Sequence, residues 1–118
     1  MCYDLEKYER AKTAKTDLHV FKFYEKYGGK FRSPYQGMVV KAGQTLRKVK
    51  LVKSKEYPLV VITEGYHCCI ERSFFWLGGW DEDYCLVSVI VPKGTRYYSN
   101  HEQLVAEQII VNEEVTWT

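Results

Sequence analysis

Leu18-His19-Val20-Phe21-Lys22-Phe23-Tyr24-Glu25-Lys26-Tyr27-Gly28-Gly29-Lys30-Phe31-Arg32 is the stretch on which the fold turns. Its Val, Phe and Tyr, with polar residues interspersed, suit a strand lying half-buried on a pleated surface. Gly28-Gly29 then offers two residues free to take positive backbone angles, as a tight hairpin demands, so the chain is expected to return through Lys30-Phe31-Arg32.

Working outward, Ser33-Pro34-Tyr35-Gln36-Gly37 combines a residue held extended before proline with a closing glycine, and predicts an ordered turn. Met38-Val39-Val40 resumes a short strand. Leu59 to Thr63 is a continuous, largely β-branched run, expected as a central strand buried on both faces and ended by Gly65. Tyr84 to Val91 predicts a further buried strand stopped by Pro92-Lys93-Gly94, and Leu104 to Val111 a last one. Asp4 to Lys15 holds good helix formers but few apolar positions, which predicts a short helix or an arm over residues 1–16. Ile70, Phe74 and Leu77 fall at helical spacing before Gly78-Gly79, which predicts one short helix. The expected architecture is α+β: residues 17–118 as one mostly antiparallel β-rich domain with six or seven strands and one or two short helices.

Composition bounds the function. At 118 residues there is room for one hydrophobic core, and 46% hydrophobic residues exclude a disordered segment. Apolar runs are strand-sized, so no membrane span is expected. Met1-Cys2-Tyr3-Asp4-Leu5-Glu6 has neither the basic start nor the apolar stretch of a secretory signal, which points to a cytoplasmic location. Cys2, Cys68, Cys69 and Cys85 include an adjacent pair and no CxxC, so all four are expected as free thiols, without zinc. A net charge of +2 makes nucleic acid an improbable partner, yet its distribution is uneven. Six basic residues and no acid lie from Lys41 to Lys55, whereas from Asp81 onward seven acids face only Lys93 and Arg96. Such asymmetry suits an anion-binding face or head-to-tail packing of copies, and the many strand edges add an expectation of homo-oligomers.

Gly65-Tyr66-His67-Cys68-Cys69 follows a central strand, where loops carry function. Adjacent cysteines cannot splay readily around one ion, and a histidine next in sequence seldom serves as a cysteine's base. The expected state is therefore His67 hydrogen-bonded to backbone beside two core thiols. Aromatic and basic residues interleave at Arg32 and Tyr35 and again at Lys93, Arg96 and Tyr97, a mixture that stacks bases and engages phosphates but is equally that of an ordinary sheet rim. There is no Walker loop, GxGxxG or deaminase pattern.

Thr13-Ala14-Lys15-Thr16-Asp17, Ser33 to Gly37, Gly65-Tyr66-His67, the run Ile90 to Tyr98 and Gln108-Ile109-Ile110-Val111 together resemble a family of small uncharacterised domains of gut bacteria and their phages. The resemblance implies a complete, cytosolic unit of prokaryotic or viral origin and brings no activity with it. The layout is more faintly similar to ADP-ribosyltransferase-like domains, although a convincing version of their catalytic set is missing and only Glu113-Glu114 offer an acid. The expected function is thus a non-enzymatic binding domain, encoded by a bacterium or its phage, with no cofactor and no catalytic residue. It would hold or sequester an anionic small molecule such as a nucleotide through Arg32, Tyr35, Gln36, His67, Lys93, Arg96 and Tyr97. The alternatives are an ADP-ribosyltransferase-like enzyme and a structural or assembly protein.

Overall fold

The computed structural model describes residues 3–5, 10–33, 37–56, 59–70 and 84–115. The first two strands are short, β1 (Tyr3–Leu5) and β2 (Lys12–Thr13). The hairpin forms as its glycines demand: β3 (Leu18–Tyr27) turns into β4 (Lys30–Arg32), with Tyr27 opposite Lys30 and both Gly28 (φ 52°) and Gly29 (φ 81°) left-handed. That is the two-residue turn whose twist matches the flanking strands. β4 then pairs with β5 (Val39–Val40).

β3 pairs along its length with β9 (Tyr84–Val91), from Leu18↔Val91 to Glu25↔Tyr84. Period-two alternation puts Val20, Tyr24, Cys85, Val87, Val89 and Val91 on one face, and all six are buried. At about 1.5–3 kcal/mol for each large apolar side chain removed from water, this face is a main source of stability.

On the other side of β3 lies β8 (Tyr66–Cys69), which pairs with β11 (Gln103–Ala106), then β10 (Arg96–Ser99), then β2. β12 (Ile110–Glu114) pairs with the far edge of β9, with a bulge between Val111 and Glu113. Because only Glu107, Gln108 and Ile109 separate β11 from β12, the sheet bends back on itself around one apolar core. Residues 43–49 run beside this link: Gly43, Leu46 and Val49 donate to the carbonyls of Val111 (2.7 Å), Ile109 (3.0 Å) and Glu107 (2.8 Å).

A second sheet packs β7 (Leu59–Glu64) between β1 and β6 (Val52–Glu56). Ile62 of β7 meets Tyr98 and Val105 of the large sheet in a small core of its own. Leu59 to Thr63 is central, as expected, in this smaller sheet.

The antiparallel β expectation holds, and the helical part is not seen: among the described residues there is no helix. Where a helix or arm is expected near the N-terminus, β1 pairs with β7, β2 pairs with β10, and Ala14 is buried with its N–H on the carbonyl of Thr95. Unpaired backbone along β7 and β10 outweighs a helix propensity that has no apolar stripe to reinforce it. The helix expected over Ile70 to Leu77 lies, beyond Ile70, outside the described residues. Twelve described strands replace six or seven, because several have two to five residues and too short a period to read. The last expected strand is two strands, broken at Glu107.

Candidate functional site

The turn after β9 places Lys93 beside Gly94 (φ 90°), and the Lys93 N–H donates to Asp17 Oδ1 at 2.9 Å. Lys93 is exposed. Arg96 opens β10 opposite Thr13, is exposed, and accepts the N–H of Glu107 on its carbonyl. Tyr97 points to the opposite face and packs against the large core. His67 is two strands away, in one row with Val105 and Tyr98.

Arg32 belongs elsewhere. It stands opposite Glu25, donates to it through Nη2 (2.6 Å) and Nε (3.2 Å), and stacks over the Tyr27 ring at 5.0 Å. Asp17, which holds Lys93, and Glu25, which holds Arg32, are eight residues apart along one extended chain, roughly 26 Å at ~3.3 Å per residue. The structure therefore places Arg96 and Tyr97 on β10, with opposite faces, and His67 on β8 beyond the intervening β11, and holds Arg32 and Lys93 at opposite ends of β3. Tyr35 and Gln36 lie outside the described residues.

His67 is held as expected for a backbone-bonded turn histidine. Nδ1 lies 3.2 Å from the Gly65 carbonyl oxygen and Nε2 3.1 Å from that of Ile62. Burial lowers its pKa below the ordinary 6.5, the Ile62 carbonyl opposes this, and the Lys22 cation adds to the lowering. With both ring nitrogens against main-chain oxygens, His67 is a structural clasp between the sheets. Cys68, Cys69 and Cys85 are free thiols.

The cations that do gather around Arg96 come from the basic stretch. Val49 donates to the carbonyl of Glu107, whose own N–H donates to Arg96. Residues 49 and 96 thus flank Glu107, about two strand spacings of ~4.8 Å apart. Arg47, Lys48, Lys50 and Lys53 are exposed along this segment, and Lys53 Nζ lies 5.7 Å from the centre of the Tyr98 ring, on the face of β10 that also carries Arg96. Two acids temper the strip: Glu107, 3.6 Å from Lys48 Nζ, and Glu64, exposed opposite Val52. A buried oxygen of Glu107 has no hydrogen-bond partner among the described residues. Sequence reasoning did not single out Arg47, Lys48, Lys50 and Lys53 as candidates; their signal was the uninterrupted basic run, which shows charge but not which strand it lies beside.

No family model, curated protein or solved structure matches the chain.

Proposed function

We propose that the chain is a non-enzymatic binding module that holds an anionic small molecule, a nucleotide being the favoured class, on the strip formed by Arg96 and residues 47–53. The observation that supports this reading is the exposure of Arg47, Lys48, Lys50, Lys53 and Arg96 around Glu107, with two carboxylates among five cations. Phosphates take charged hydrogen bonds from such groups, and the Tyr98 ring beneath Lys53 fixes the position of one of them. Of the residues expected from the sequence, Arg96 carries the reading, while the His67 ring faces the carbonyls of Gly65 and Ile62 and Arg32 is paired with Glu25. The small prokaryotic and phage domains that the sequence resembles set a cytoplasmic context for the proposal.

Calorimetry against mono-, di- and cyclic nucleotides and inorganic pyrophosphate tests it. Arg96→Ala and Lys53→Ala should each weaken binding by about 1–3 kcal/mol, and affinity should fall with added salt. Arg32→Ala should change nothing. Absence of heat with every anion, or binding indifferent to both replacements, rejects the reading.

A further inference from the structure

Val49, Glu107, Arg96 and Thr13 stand in one row across the end of the large sheet. Val49 donates to the carbonyl of Glu107, Glu107 donates to that of Arg96, and Arg96 is the register partner of Thr13 on β2. Three strand spacings of ~4.8 Å make the row about 14 Å long. Exposed cations follow it from end to end: Lys48 and Lys50 beside Val49, Arg96 within it, and Lys15 two residues beyond Thr13. Lys53 lies over Tyr98, two residues along β10 from Arg96. The acids nearby are engaged or set aside: Glu107 is buried with an oxygen 3.6 Å from Lys48 Nζ, Asp17 accepts the N–H of Lys93, and Glu64 stands opposite Val52 in the small sheet. Among the described strands β2 ends the large sheet, so the far end of the row is a strand edge. Ala14 bonds Thr95 and Gly94 through its N–H and its carbonyl, and the alternation of an antiparallel pair therefore turns the N–H of Thr13 outward. The net charge is only +2 because acids collect elsewhere, Glu113 and Glu114 on β12 among them, whereas a ligand responds to the local field.

We propose that this row is a track for the sugar–phosphate backbone of a single-stranded oligonucleotide, read without regard to base sequence. The inference rests on the anion-binding reading above and extends its ligand from one phosphate group to a chain of them. Length is the reason: the phosphates of a mononucleotide reach only one end of the row, whereas a stacked strand advances ~3.4 Å per nucleotide, so about 14 Å matches about four nucleotides. Lys48 and Lys50 meet the phosphates at one end, Arg96 and Lys53 those at the centre, and Lys15 with the Thr13 N–H those at the open edge. Sequence indifference follows from the neighbouring rings: Tyr98 is buried beneath Lys53 and Tyr97 packs into the large core, so neither offers a free face on which a base could stack.

The test is calorimetry on the intact chain with dTMP, octathymidylate and octadeoxyadenylate over a series of salt concentrations. Both octamers should bind at least about ten-fold tighter than dTMP, beyond the statistical gain from repeated phosphates, and log K should fall against log salt by about 0.7 for each phosphate neutralised, a slope near −3. Lys15→Ala should weaken octathymidylate several-fold and flatten its slope by about 0.7 while leaving dTMP unchanged. Lys53→Ala should weaken both. If dTMP binds and responds to Lys53→Ala but the octamers gain no more than the statistical factor, or ignore Lys15→Ala, the track is overturned and the small-anion site stands. A strong preference for one octamer also overturns it, and absence of binding by every ligand removes track and site together.

Discussion

The imidazole Nε2 of His67 lies 3.1 Å from the carbonyl oxygen of Ile62, so one side chain of the large sheet is tied to the main chain of the small one. Nδ1 faces the Gly65 carbonyl at 3.2 Å, and Lys22 donates to His67's own carbonyl. Two sheets and the gap beside β3 meet at this residue.

The first prediction follows from its titration. Burial holds the folded pKa below the unfolded 6.5, so the unfolded chain binds more protons between the two values, and stability rises with pH there. The contribution is complete above about pH 6.5 and is lost as pH falls through the folded value. Denaturant titrations between pH 5 and 8 should show that slope in the native protein and a flatter one in His67→Gln, which retains a neutral donor for Ile62. Equal slopes would remove His67 as the cause.

Gly65 makes the turn from β7 into β8 at φ 138°, and a Cβ there would stand 2.6 Å from both Leu51 Cδ2 and Val105 Cγ2. Val105 is fully buried and has nowhere to move. Gly65→Ala should cost about 2–4 kcal/mol from backbone strain and overpacking together. Gly29→Ala, also left-handed but open to space, should cost only about 1–2 kcal/mol. Equal losses in urea denaturation would contradict the packing account.

Arg32 and Glu25 form the shortest ion pair described, but the Arg32 side chain is 38% exposed, so solvent screens it. Arg32→Ala should leave stability nearly unchanged. Guanidinium denaturation of the variant decides this, and a clear loss would mean the stack on Tyr27 matters more than the charge.

The thiols offer a third measurement of burial. Cys68 and Cys85 are pushed from 9.0 to about 12 and about 11, chiefly by desolvation. For Cys68 this is on the order of a thousand-fold less thiolate at pH 8, since each pKa unit is tenfold. Iodoacetamide should spare both residues in the native protein and modify them in urea; comparable native and denatured rates would show that the core opens on the labelling timescale.

Local signals carried much of the fold. Gly28-Gly29 and the alternation before it determine the hairpin, and the same count places Glu25 opposite Arg32, because a two-residue loop makes paired numbers add to a constant. That arithmetic already pairs Arg32 with Glu25. β9 and β7 were legible as apolar runs, while the N-terminal strands were not, since two or three residues carry no period. Of the candidate site, Arg96 was legible as a cation in a turn-rich stretch, but Lys53 was not, because its place over Tyr98 depends on how β6 lies across β10.

The sequence by itself determined an antiparallel β protein with a glycine-turned hairpin and a basic middle segment, because turn angles, alternation and charge belong to residues within a few positions of one another. Only the tertiary structure decided that the sheet bends closed at Glu107, that Arg32 and Lys93 sit at opposite ends of β3, and that Lys22 reaches the carbonyl of His67, 45 residues away. Those relationships depend on the register between distant strands, which is set by the fit of the whole core and leaves no trace in any short window of sequence.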